Sequence, residues 1–237
     1  MALLFNNTNI PPSGAVRFNS TSLKIVNFGN TQVWKKEAPA GVPTYWIDGS
    51  KQATGSTSWV GNLGTAGGGF SISGSWSQSR NAKGLTCWYM NNCGISGFSW
   101  NPGAYTLYYC VSYSAGGANN WFLTRTGLAI ALIGSQYEGI QMWCPNYMNM
   151  AGAKSIGNNM IYVVRKTSAG ANVEMWANGY LGAYNAAPSN AQALQVSLFN
   201  ELGGGNYGTV HEVMYYGTAH SDAQLTETYQ YLAEKWR

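Results

Sequence analysis

Trp76, Trp88, Tyr89, Trp100, Trp121, Trp143 and Tyr147 have the chemistry of a sugar-binding surface. An indole or phenol presents a flat apolar face on which the C–H face of a sugar ring can stack. Nearby amides and hydroxyls then supply the directional hydrogen bonds. The chain is rich in both kinds of group, with 10 Trp and 16 Tyr set among many Asn, Ser and Gly. Trp88-Tyr89-Met90-Asn91-Asn92 and Trp143-Cys144-Pro145-Asn146-Tyr147 read as loops, where an aromatic face would be open to a ligand. Trp76, Trp88, Tyr89, Trp100, Trp143 and Tyr147 are therefore the candidate carbohydrate contacts, while Trp46, Trp176 and Trp236 read as core or helix-docking residues.

Sugar cleavage would need different groups. A retaining glycosidase holds two carboxyls about 5 Å apart. The nine carboxylates here are Glu37, Asp48, Glu138, Glu174, Glu201, Glu212, Asp222, Glu227 and Glu234, and no two lie closer than five residues. That spacing argues against a paired-acid strand motif, so no catalytic residue is assigned. If cleavage did occur, Glu138, Glu174 and Glu212 would be the residues to substitute. A Ser–His–Asp triad would need His211 or His220, and neither stands near a G-x-S-x-G phrase. Asp48, followed by a glycine-containing turn, is the one position suited to a calcium ion, but a chain with two Asp offers few oxygen clusters. No metal or cofactor is expected. Gly67-Gly68-Gly69 lacks both the G-x-x-x-x-G-K-[ST] pattern and a following helix, so it reads as turn and not as a phosphate loop.

These residues need elements to hold them. The clearest is the last. Ser221 and Gln224 form an S-x-x-Q capping box, Asp222 lies in the first turn, and Lys235 and Arg237 complement the dipole in the last. Leu225, Tyr229, Leu232 and Trp236 recur as one apolar stripe. This helix must bury the stripe against something, and everything before it reads as strand and turn. Strands are expected at Tyr45–Asp48, 105–113, 128–133, 139–143, 160–165, 193–199 and 210–216. Asn172 to Gly182 reads as two strands about an Asn178-Gly179 turn.

Residues 1–40 differ from the rest. They hold short alternating runs, with Phe18, Ile25, Val33 and Trp34 as apolar anchors, and too little apolar mass for a core of their own. Ala38 to Pro43 reads as a linker. The chain then divides into an N-terminal β module, 1–40, and a sandwich, 41–237.

Four features carry a resemblance. The V-x-x-W-x-N-G hairpin at Val173–Gly179 and the closing strand and helix resemble concanavalin A-like (LamG-type) jelly-roll domains, especially those of bacteriophage virion proteins. The phrase from Val26 to Lys36, VNFGNTQVWKK, is similar to short N-terminal modules of phage tail and virion proteins, and Trp46-Ile47-Asp48 fits the start of their jelly roll. The resemblance implies an antiparallel jelly-roll sandwich with an N-terminal β-appendage. It also implies a non-enzymatic surface protein of a tail fibre, baseplate or head decoration, held to other virion proteins through residues 1–40. A homo-oligomer, as in trimeric fibres, and a host-surface glycan are the partners it implies, with assembly in the host cytoplasm and release by lysis. A free-standing lectin module is the alternative, and a glycan-cleaving enzyme a more distant one.

Composition limits the remaining classes. Charged residues make up 9% of the chain, against roughly 25% in an average domain. The surface is therefore covered by neutral polar groups. The net charge of +4 is scattered without a basic stripe, so no nucleic acid is expected. No run approaches the length of a membrane span, and the N-terminus lacks the pattern of a secretory signal. Cys87, Cys93, Cys110 and Cys144 allow two disulfides in three pairings, or free thiols.

Overall fold

In a computed structural model, the described backbone covers residues 3–5, 8–10, 16–18, 21–23, 25–28, 31–35, 40–51, 61–96, 103–113, 119–125, 128–133, 139–144, 146–151, 159–168, 171, 173–178, 180–183 and 207–237. Side chains are described for 40–51, 61–70, 72, 74–90, 103–112, 159–168, 171, 174–178 and 208–237.

Three hairpins come first: β1 (Leu3–Phe5) with β2 (Thr8–Ile10), β3 (Val16–Phe18) with β4 (Thr21–Leu23), and β5 (Ile25–Phe28) with β6 (Thr31–Lys35). The main chain of strands follows: β7 (Tyr45–Asp48), β8 (Ser71–Arg80), β9 (Thr86–Ser96) and β10 (Tyr105–Tyr113). Next come β11 (Asn119–Arg125), β12 (Leu128–Ile133), β13 (Gly139–Cys144) and β14 (Asn146–Ala151), which pair in that order as a four-stranded sheet. Then come β15 (Asn159–Lys166), β16 (Val173–Ala177), β17 (Tyr180–Ala183), β18 (Tyr207–Tyr216) and the helix α1 (Asp222–Trp236).

The eight-stranded sheet runs β17-β16-β15-β10-β18-β9-β8, with β7 also beside β18, and every pairing is antiparallel. β18 is the hub. Along one edge it pairs with β10. Its other edge is divided, with Tyr207–Val210 on β9 and Glu212–Tyr215 on β7.

Successive strand residues point to opposite faces, so one face of β10 carries Tyr108 and Cys110 and the other Leu107, Tyr109 and Val111. All of these are buried, as are Met160 to Val164 of β15. A strand buried on both faces lies inside a layered structure, and the protein is an all-β sandwich with one C-terminal helix, as the sequence implies. The helix covers the face of Tyr108, Cys110, Ile161, Val163, Met214 and Tyr216, inserting Leu225, Tyr231, Leu232 and Trp236. Each such side chain, fully buried, contributes about 1.5–3 kcal/mol. On the opposite face Tyr45, Phe70, Tyr105 and Tyr215 form a ring-to-ring chain with centroids 5.9–6.3 Å apart.

Local signals held where chemistry is local. Ser221 caps the helix, its hydroxyl accepting from the Gln224 amide while the Gln224 side chain accepts from the Ser221 amide. Asn178 sits at φ +49° in the β16–β17 turn, and its Oδ1 accepts from the Ile161 amide at 2.9 Å. The glycine-rich segment is a dock and not a phosphate loop. Asn62 Oδ1 accepts from the Trp46 and Gly64 amides, both at 2.8 Å. A Cβ on Gly64 would stand 2.4 Å from the Thr44 carbonyl oxygen, so only glycine allows that approach.

Several expectations change. Trp88 to Asn92 is no loop but the middle of β9, because β8 and β18 pair with it on either side. Lys235 does more than complement the helix dipole, since its ammonium turns inward onto two carboxylates. Pro43, at the end of the expected linker, is buried and accepts from the Thr65 amide at 2.9 Å. Cys87 and Cys110 are free thiols in the core. The side chains of Cys93 and Cys144, of the anchors Phe18, Ile25, Val33 and Trp34, and of Trp121 lie outside the described residues. So do Trp100, Glu138 and the expected strand at 193–199.

Candidate functional site

Glu212 is the most completely coordinated polar group beneath the helix. One of its oxygens accepts from the Trp46 indole at 2.8 Å and the Tyr231 hydroxyl at 3.2 Å. The other accepts from the Trp236 indole at 2.6 Å and the Lys235 ammonium at 2.8 Å. Lys235 also holds Asp48 at 2.6 Å, and the remaining Asp48 oxygen accepts from the Ser50 amide and hydroxyl. Both carboxylates have no side-chain exposure. Burial pushes the Glu212 carboxyl up, Lys235 pulls it back, the Asp48 charge pushes it up again, and the Trp236 indole opposes that. Burial would lower Lys235, but Glu212 and Asp48 hold its ammonium above the ordinary value. Four donors aimed at Glu212 fit an anion and leave no place for a substrate. The convergence of Asp48 and Glu212 is therefore a clamp joining β7, β18 and α1, and Asp48 has no oxygen to spare for calcium.

Glu174 is likewise engaged: it takes Arg165 at 2.5 Å, and Asp222 takes the same guanidinium at 2.7 Å. Arg165 also lies over the Trp176 ring, 5.1 Å from its centroid. His220 is a structural turn histidine. Its Nδ1 meets the Tyr108 hydroxyl at 2.7 Å and its ring packs 4.0 Å from that of Tyr216.

The residue beside Glu212 is in the opposite condition. In the β10–β18 ladder Cys110 faces Glu212 and Val111 faces Val210, so His211 is the extra residue of a β-bulge. The opposite edge changes partner at the same point, from β9 to β7. Bulges re-aim side chains, and here consecutive residues both reach Trp236. Glu212 accepts from its indole, and the His211 ring lies 5.1 Å from it. His211 is 2% exposed, and neither ring nitrogen has a hydrogen-bond partner. Burial brings its pKa down to about 4, so the ring is neutral at physiological pH.

His211 lines a polar pocket of about 820 Å³. Its walls are Ser79, Arg80, Asn81, Ala82 and Cys87 from the β8–β9 hairpin, Ser112 and Asn159-Met160 from β10 and β15, Asn178, Thr209, and Arg237 beyond the helix. Three asparagines differ in how they are used. Asn178 is spent on Ile161 and on Met160 Sδ, and Asn159 donates to the Trp236 carbonyl. Asn81 accepts from the Lys83 and Leu85 amides through Oδ1, yet its buried Nδ2 has no partner. Burial pushes the Cys87 thiol up to about 11, so it is inert. No carboxylate lies among these lining residues. The arrangement offers hydroxyls, carboxamides, an imidazole and guanidinium groups, a set suited to holding a polar ligand and lacking an acid–base pair.

Of the six sequence candidates, Trp100 lies outside the described residues. Trp76 and Trp88 meet edge-on, centroids 4.6 Å apart, with Trp88 1% exposed in the core and Trp76 half-buried. Tyr89 lies on the other face of β9, half-buried and opposite Ser77. Trp143 and Tyr147 stand directly across from each other in the β13–β14 ladder, with side chains outside the described residues. His211 and Asn81 carried no sequence signal as a site. A bulge becomes visible only when the neighbouring strands are registered.

No protein-family model matches the sequence, and no curated protein matches it. Solved structures do. Domain 4 of a GH43 extracellular arabinanase from Geobacillus stearothermophilus, solved in complex with arabinotriose, aligns over 82% of this chain and 100% of its own at 15% identity and a TM-score of 0.54. The binding domain of botulinum neurotoxin DC, in complex with SialylT, aligns at 8% identity and 0.59 over 81% of this chain and 51% of its own. Trypanosoma rangeli sialidase aligns at 12% and 0.54 over 82% and 34%. The chain thus spans the whole arabinanase domain but only half and a third of the other two. At these identities the likeness is one of fold, a β-sandwich.

Proposed function

We propose that this protein is a non-catalytic carbohydrate-binding β-sandwich, with the pocket around His211 as its site. The observation that carries the reading is a pocket of sugar size whose lining residues offer hydroxyls, carboxamides, an imidazole and two guanidinium groups and include no carboxylate, and in which both His211 ring nitrogens and the Asn81 Nδ2 are buried without partners. Its volume is within the roughly 300–1,000 Å³ of small-molecule sites. The neighbouring folds support it, since they were solved with arabinotriose and SialylT. The expected aromatic platforms take a secondary place in this reading. The test is an array of neutral and acidic oligosaccharides probed with the full chain, followed by calorimetry on those retained. Retention of one saccharide class without release of shorter products is expected. Retention of none, or turnover, would overturn the reading.

A second reading concerns where the module is displayed. The three hairpins of residues 3–35 have strands of three to five residues, each paired within its own hairpin among the described residues. Such units are marginal alone and suit attachment to a larger body. With the VNFGNTQVWKK phrase, they favour a virion component anchored through residues 1–40 and displaying residues 41–237 to a host glycan. Deleting residues 1–40 should abolish incorporation into particles and leave saccharide binding unchanged. A deletion that still incorporates would refute the anchoring role.

A further inference from the structure

Resting on the carbohydrate-binding reading, we infer that His211 and Asn81 are the specificity-determining pair of the pocket, and that they recognise hydroxyl groups of the saccharide and not an acidic substituent. Buried polar groups in folded proteins are almost always satisfied, because an orphan has lost its hydrogen bonds to water and gained none in return. Here both ring nitrogens of His211 and the Nδ2 of Asn81 are buried without partners, and both residues line one pocket. The rest of the surroundings is ordered. The Asn81 carbonyl oxygen is fixed by two turn amides, which points its NH₂ group away from them, and the His211 ring is packed against Trp236. The bulge that places His211 also interrupts the β10–β18 ladder at the point where β18 changes partner. An unpaired imidazole at an interrupted ladder is poor for stability and suited to recognition.

The donor and acceptor count selects the ligand. Asn81 Nδ2 can only donate. A neutral imidazole donates through one nitrogen and accepts through the other. Satisfying all three positions takes a ligand that both accepts and donates. A hydroxyl does both, whereas an ionised carboxylate, sulfate or phosphate only accepts and would leave one imidazole nitrogen orphaned. Arg80 and Arg237 at the walls hold the Gly84 carbonyl and the Tyr229 hydroxyl, at 2.9 and 3.0 Å.

The chain has two histidines, so its imidazole ¹⁵N spectrum is simple. The full chain would be titrated with lactose, arabinotriose, cellotriose and trigalacturonate, following both rings. At least one neutral sugar should shift the His211 nitrogens and leave those of His220 in place. His211→Phe should weaken that sugar's binding by about 10–100-fold, the equivalent of one or two lost hydrogen bonds, with its thermal midpoint equal to or above the parent's. Asn81→Asp, which keeps the turn-forming oxygen and removes the donor, should weaken it by about 10-fold. If His211→Phe fails to fold, the titration of the parent decides. Saccharide binding with both His211 nitrogens silent would overturn this inference and leave the carbohydrate-binding reading intact, and binding of trigalacturonate alone would do the same. Retention of no saccharide on the array would remove both.

Discussion

Glu212 and His211 are adjacent residues of one strand, touch the same indole and are both buried, yet their hydrogen bonding is opposite. Glu212 receives four donors; His211 has no partner at either nitrogen. The difference separates two kinds of buried polarity. A saturated group surrounded by strands and helix is there for the fold, because the neighbours that satisfy it come from β7 and α1 and tie both to β18. An unsatisfied group in the wall of a pocket is a standing destabilisation, which is tolerated where something else completes it.

Perturbing each side should separate the two. The largest effect is expected from Lys235→Met, which leaves Asp48 and Glu212 buried together without their cation; a loss of about 3–5 kcal/mol should appear in urea unfolding. A loss below 1 kcal/mol would mean that the clamp is not what holds α1 to β7 and β18. Ser221→Ala calibrates the scale, since it removes only the helix cap and should lower stability by about 1 kcal/mol in the same assay, leaving saccharide affinity untouched. His211→Phe should move stability the other way, raising it by up to about 1 kcal/mol as the orphaned nitrogens disappear. A drop of 2 kcal/mol or more on denaturant titration would erase the contrast with Glu212.

The finest test is pH. The His211 pKa is about 4 when folded, against 6.5 in its ordinary state, so the unfolded chain takes up the proton first. The stability due to its neutral ring is present above pH 6.5 and is lost as pH falls toward 4. His220, likewise lowered to about 4 by burial and by Arg165, acts in the same direction. Glu212, whose carboxyl is raised, acts in the opposite one. Subtracting the His211→Phe melting curve from the parent's between pH 4 and 7 isolates His211. A difference that does not vary with pH would show that the ring's environment is not what separates it from Glu212.

Much of the fold could be read from the sequence because its signals are local. The Ser221–Gln224 box, the Leu225–Trp236 stripe and the β16–β17 hairpin each lie within a dozen residues; the box and the hairpin appear as expected, and the stripe buries Leu225, Leu232 and Trp236 with Tyr231 in place of Tyr229, which is half-buried. β8 and β9 were hidden. Ser-Ile-Ser-Gly-Ser-Trp-Ser-Gln-Ser-Arg has few β-branched residues, and Asn91-Asn92 suggests a turn; both segments are strands because the neighbouring ladders make them so. The clamp was hidden for another reason. Asp48, Glu212 and Lys235 are separated by up to 187 positions and meet only after the sheet has formed. The pocket lies furthest from any sequence signal, because it depends on a register shift at one position, and a chain without known strand partners has no register to shift.

The bulge has one more consequence. Because His211 is the surplus residue against Cys110 and Val111, losing a single codon there would let Val210 and Glu212 become consecutive and the β10–β18 ladder run unbroken. Recognition and architecture are thus separable by one deletion, and a descendant lineage could discard the first while inheriting the second whole.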